Sequence, residues 1–229
     1  MTSAHCGDTN RPPDLDDLRS RLLTFAAGED QLAYLAHVAS VITDTFRILG
    51  VAPPVVVGGL AVETYTAGHY TTRDVDMIAD DDAAVSEIMT ALGFEKRAGW
   101  RHYEHPQCEA FVEFPTGPLE GSRDRIAEIE LANGSTIYVI GIEDLILDRI
   151  AAYEHWDKRR ENSEDATQAI LLMVAQHDRI DGGYLRNSAR QMGLADALAE
   201  LEARATRLRQ SQADRASHGQ KPSGQDTGL

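Results

Sequence analysis

VVVGGLAVETYTAGHYTTRDVDMIAD, residues 55–80, opens on three valines, passes through a glycine pair and closes on a second apolar run that carries two aspartates. Val55–Val57 read as a short buried strand, Leu60–Ala67 as a helix closed by Gly68, and Asp74–Ala79 as the next strand. On a strand, residues i and i+2 point to the same face, so Asp74 and Asp76 project together while Val75 and Met77 turn into the core. Two carboxylates held side by side repel. A divalent cation relieves that repulsion, and hard oxygen ligands with room for phosphate oxygens suit Mg²⁺, or Mn²⁺ in its place. Taken alone, the Asp-Val-Asp tripeptide equally fits a solvent-facing strand edge. Gly58-Gly59 adds a second element: a strand that ends in two glycines and opens into a helix leaves backbone N–H groups with no side chain in the way, and such a turn can cradle a polyphosphate. Alone, the pair would equally mark a tight turn needing positive φ.

Working outward, the chain has 229 residues, 42% hydrophobic and 26% charged, enough for one substantial core or for a domain with a smaller one beside it. Pro13 is followed by leucines at helical spacing (Leu15, Leu18, Leu22), and a second amphipathic stretch runs from Glu29 to Leu49 before Gly50. After the aspartate strand, DDAAVSEIMTALG reads as a helix with an acidic first turn and a glycine stop at Gly93. Shorter strands are expected at Trp100–Tyr103, Ala110–Phe114, Ile126–Leu131 and Thr136–Ile140, the last two joined across Asn133-Gly134, a hairpin signal. From Ile142 the pattern is helical, with breaks near Asn162, Gly182-Gly183 and Gly193. The expectation is an α+β fold: a small mixed sheet flanked by helices, two of them leading, over residues 14–141, then a helical subdomain over 142–209. Residues 1–13 and 210–229 are polar and without periodicity, and are expected to be disordered.

The formal charge is 22 basic minus 37 acidic residues, −15; from Glu202 onward five basic and three acidic side chains make +2, leaving −17 before it. A field of that sign opposes broad binding to phosphate backbones, though a local basic patch can still admit one. No apolar run is long enough to span a bilayer and the N-terminal stretch lacks the features of a signal peptide, so a cytoplasmic location is expected. Cys6 and Cys108 match no zinc or redox spacing and read as free thiols. His102, His105 and His155 are scattered and read as satisfied or exposed.

With the strand, glycine pair, helix and Asp-x-Asp strand in order, VVVGG, LAVETYTAGHYT and TRDVDMI resemble the nucleotidyltransferase superfamily that shares the DNA polymerase β core, and within it the small bacterial members that include abortive-infection toxins. The resemblance runs over roughly residues 50–175 and is strongest over 55–78. It implies transfer of an NMP from a nucleoside triphosphate to a hydroxyl on a tRNA 3′ end, a protein or a small molecule, and for a toxin a cognate antitoxin. It implies that Asp74 and Asp76 hold the metal, that Gly58, Gly59 and the adjoining Arg73 bind nucleotide, and that a third carboxylate stands on a neighbouring strand. Glu113, between Phe111, Val112 and Phe114, fits that third position; Glu128 and Glu130 are rivals that precede a hairpin turn. GIEDLILDRIAAYEHWDKRR is similar to the helix from which a basic side chain reaches the nucleotide. Arg149 falls beside its apolar face with Leu145, Ile146 and Tyr153, where it binds an anion or pairs with Asp148 or Glu154. Lys158, with Arg159 and Arg160, is the densest basic run and a further candidate for triphosphate. The competing expectation is a catalytically inactive, nucleotide-binding or regulatory module on the same fold.

Overall fold

The structure, a computed structural model, describes residues 14–25, 28, 30–157 and 163–219. Residues 1–13 and 220–229, for which disorder is expected, lie outside the described residues, as do Lys158, Arg159 and Arg160. The chain divides into two compact units, Met1–Gly141 and Ile142–Leu229.

The first unit runs α1 (Leu15–Leu22), α2 (Gln31–Ile48), β1 (Val55–Val57), α3 (Gly58–Thr66), β2 (Asp74–Ile78), α4 (Asp82–Leu92), β3 (His102–His105), β4 (Cys108–Glu113), β5 (Ala127–Glu130) and β6 (Thr136–Val139). Among the described residues six strands form one mixed sheet in the order β3-β4-β2-β1-β6-β5. β1 is antiparallel to β2 and parallel to β6, and β2 is parallel to β4. Period-2 alternation assigns the faces. Val56, Val75, Met77, Val112, Ile137 and Val139 are fully buried, and α2 and α3 lie against their strands. Phe46 of α2 stacks on Phe114, which also meets Tyr103. The opposite face carries Asp74, Asp76, Phe111 and Glu113.

Local chemistry explains the boundaries. Asp14 caps α1 in a reciprocal box with Asp17, Asp81 accepts from the Ala83 and Ala84 N–H groups at the start of α4, and Gly93 at φ 93° closes it. The left-handed turn after α3 begins at Ala67, φ 50°, one residue before the expected Gly68. The third and fourth strands sit about two residues from their expected places because His105 pairs with Cys108 across Pro106-Gln107, a turn without the glycine or asparagine that usually announces a hairpin.

The second unit is helical: α5 (Ile142–Ala152), a π turn at Tyr153–Asp157, α6 (Glu164–Ala175), α7 (Gly182–Gln191) and α8 (Ala195–Gly219). Leu145, Ile146, Ile150, Ala169, Leu172 and Leu201 are buried. The expected break near Gly182-Gly183 falls between α6 and α7, and the glycines open α7: Asp181 caps its first turn, accepting from the Gly183 and Tyr184 N–H groups at 3.0 Å. One boundary departs from the sequence expectation. Residues 210–219 continue α8: Gln210–Arg215 are exposed, and the QSQADRASH run holds helix-compatible residues with no glycine or proline before Gly219. Polarity there marks a solvated helix, where disorder was expected.

Candidate active site

The glycine pair and the aspartates meet at one end of the sheet. Val57 pairs with Asp76 across the antiparallel ladder, so the C-terminal end of β1 and the beginning of β2 are neighbours. Gly58 adopts φ +59°, and a Cβ there would collide with the Asp76 carboxylate, lying 3.0 Å from its Cγ and 3.1 Å from its Cβ. Only glycine permits that approach. A Cβ at Gly59 would lie 2.8 Å from Thr72 Oγ1. α3 starts at Gly58, its cap residue Val57 making no side-chain hydrogen bond, and its first N–H groups, at the positive end of the helix dipole, lie beside the aspartates.

The loop entering β2 is held from α3. Glu63, 3% exposed, accepts the Thr72 N–H at 3.0 Å, and Thr72 Oγ1 accepts the Asp74 N–H at 3.3 Å. Burial pushes the Glu63 carboxyl above its ordinary range, against the lowering effect of the Thr72 hydrogen bond. The sequence reading missed this residue; an acid at the fourth position of an otherwise apolar LAVE run was its one signal.

On the other flank of β2, Asp76 pairs in register with Glu113 and Asp74 with Phe111. Parallel pairing sets Glu113 on the same face as both aspartates, one strand spacing of about 4.8 Å away. Glu128 and Glu130 stand on β5, exposed, with β1 and β6 between them and β2. Glu113 is not turned freely toward the aspartates: its Oε2 lies 3.4 Å from the Arg101 guanidinium and its Oε1 3.9 Å from His102 Nδ1. Arg73 is exposed, directly before Asp74.

Among the described residues no group of three or more His, Cys, Asp or Glu side chains is set to hold a metal. Asp74 and Asp76 nonetheless fit a hard divalent cation by chemistry and place. Mg²⁺ is commonly bound by one or two carboxylates and completed by substrate phosphates, without a closed protein cage. Gly58, having no side chain, lets the Asp76 carboxylate stand directly against the start of α3.

Arg149 belongs to the second unit. Its guanidinium donates to Asp148, to Asp165 Oδ1 at 3.2 Å and to Gln168 Oε1 at 3.3 Å, so it ties α5 to α6. Of the partners open in the sequence, Asp148 is taken, and Asp165, sixteen residues on, was not foreseen.

No protein-family model matches the sequence, and no curated protein matches it. Among solved structures the chain is similar to the antibiotic-resistance factor ANT(2″)-Ia, with a TM-score of 0.45 and 15% identity over 82% of this chain and 97% of that one. No helix among the described residues is long and apolar enough to cross a membrane.

Proposed function

We propose that this protein is a metal-dependent nucleotidyltransferase that moves an NMP from a nucleoside triphosphate to a hydroxyl acceptor. The observation that carries the reading is the close approach of Gly58 to Asp76: a helix start and a carboxylate pair share one end of one sheet. The first N–H groups of α3 bind outer phosphate oxygens of the triphosphate. Asp74 and Asp76 would hold Mg²⁺ or Mn²⁺, which supplies charge neutralisation at the phosphates and Lewis acidity at the reacting centre. Glu63, through Thr72, fixes the backbone from which Asp74 projects. Glu113, on the flank away from the glycine turn, accepts a hydrogen bond from the incoming hydroxyl once Arg101 and His102 release it. The hydroxyl oxygen attacks the α-phosphorus in line as its proton passes to the Glu113 carboxylate, a new P–O bond forms, the bond to the bridging oxygen breaks, and pyrophosphate leaves.

The engagement of Glu113 by Arg101 and His102 favours a second reading, a nucleotide-binding module that does not turn over. One experiment separates the two. The protein is incubated with each α-labelled nucleoside triphosphate, Mg²⁺ or Mn²⁺, and total tRNA, cell extract protein or a panel of small hydroxylated acceptors. Transfer of label to one fraction, lost in Asp76→Asn, supports the enzyme. Nucleotide binding without transfer to any fraction leaves the module. Growth arrest on expression of the wild type, absent for Asp76→Asn, would add the toxin role and with it a cognate antitoxin.

A further inference from the structure

The face that bears the aspartates continues past Glu113 into a row of aromatic rings. Trp100 and Phe111 are among the exposed large hydrophobic side chains, at 46% and 39%. His102 stands between them, its ring 4.9 Å from each in edge-on contact. Register places the row: Phe111 is opposite Asp74 and His102 opposite Glu113. The segment that leads into β3, Lys96–Arg101, KRAGWR, holds three cations and no acid, while Glu104 meets His102 at 3.2 Å and Glu113 and Asp74 border the row. Arg97 lies over the Trp100 ring at 5.2 Å. Its bond to Glu104 (3.2 Å) and that of Arg101 to Glu113 (3.4 Å) are made by side chains 65% and 83% exposed, and such surface pairs hold weakly enough to exchange for a phosphate.

We propose that this shelf, Trp100, His102 and Phe111 with Arg97 and Arg101, binds the unpaired end of a polynucleotide. The proposal rests on the nucleotidyltransferase reading for its consequence, that the strand is the acceptor, but not for the binding itself. Sheet order supplies the direction. In β3-β4-β2-β1 the glycine turn is on the β1 side of the aspartates and the shelf on the β4 side, so a triphosphate at the turn leaves the shelf to the acceptor. Extent supplies the class. Two ring-to-ring steps of 4.9 Å reach farther than one base covers, and exposed rings with guanidinium groups beside them suit unpaired bases and their phosphates. A duplex buries its base faces and offers this row nothing to stack on.

The test is fluorescence anisotropy of a labelled, unstructured RNA of about 12 nucleotides, added to full-length Asp76→Asn protein so that turnover cannot intervene. Trp100→Ala with Phe111→Ala is expected to weaken binding about tenfold or more, while Trp100→Phe with Phe111→Tyr keeps it near the parent value. Arg97→Ala with Arg101→Ala is expected to flatten the salt dependence by about 0.7 in log–log slope for each phosphate no longer engaged. Circular dichroism checks that each variant is folded, and the conservative pair decides the matter should the alanine pair unfold. Absence of RNA binding, equal binding by the alanine variants, or displacement of the RNA by nucleoside triphosphate alone would each overturn the proposal, the last by giving the shelf to the base of the triphosphate. RNA binding by the shelf without label transfer would count against the enzyme reading only; label transfer that ignores the shelf substitutions would count against the shelf only.

Discussion

Gly58 is the residue at which fold and chemistry are hardest to separate. Its φ of +59° would strain any L side chain by about 1–2 kcal/mol, and a methyl group there would also collide with the Asp76 carboxylate. Gly50 provides the contrast, with φ +71° and open space within 4 Å of the point its methyl group would occupy. Gly50→Ala should therefore cost strain alone, and Gly58→Ala more than that, together with loss of label transfer; chemical denaturation and the transfer assay measure the two parts. For Asp74→Asn and Asp76→Asn the expectation is opposite in kind. Transfer should fall about 10²-fold or more, with the fold retained and metal-free stability unchanged or slightly raised, because a like-charge neighbour has gone. The placement of Gly58 beside the aspartates was legible in residues 55–80, since the glycine pair, the strand period and the two acids are local features. Glu63 was not: its hydrogen bond to Thr72 spans a helix and a loop, and no spacing rule reports it.

α3 and the entry to β2 act as one piece through Glu63, and that coupling has a pH signature. A folded-state pKa raised by burial means that the native protein holds this proton more tightly than the unfolded chain does. The stabilisation is thus fully present below the ordinary glutamate value of 4.5 and is lost as pH rises through the raised folded value. Glu63→Gln, which keeps an oxygen for the Thr72 N–H but does not titrate, should gain stability relative to the wild type on going from acid to neutral pH; parallel thermal melts across that range would detect it. In the helical unit, Arg149 joins α5 to α6, and Arg149→Met removes its guanidinium from Asp148 and Asp165. A loss of about 1–3 kcal/mol should appear as a lower melting temperature, partly restored by lysine. The helical pattern from Ile142 is borne out by α5, which follows from the 3.6-residue period. The sequence left the partner of Arg149 open, since an i to i+16 pair depends on how two helices pack. It also missed the β3–β4 register, which no side chain at Pro106-Gln107 announces, and with it the setting of KRAGWR, whose three cations and one tryptophan lead into β3.

A net charge of −15 sets the conditions under which the whole chain meets its ligands. It raises the local concentration of cations and repels polyanions, with a reach set by the Debye length, about 8 Å at physiological ionic strength. A triphosphate or a nucleic-acid strand therefore arrives most readily as its metal complex, or where a basic segment such as Lys96–Arg101 locally offsets part of that charge. The same charge complicates any test for the metal, because every divalent salt will screen the repulsion and stabilise the fold to some degree. Binding at Asp74 and Asp76 separates from screening by comparison. Magnesium chloride should raise the melting temperature of the wild type more than sodium chloride of equal ionic strength does. The excess follows RT ln(1 + [L]/Kd), about 2.7 kcal/mol at a hundredfold excess over Kd, or roughly 2–4 °C for each kcal/mol in a chain of this size. The Asp74→Asn, Asp76→Asn double variant should lose that excess and keep the part that sodium chloride reproduces. Equal responses of the two proteins would place the magnesium effect in the diffuse field of the surface and remove the metal from the aspartate pair.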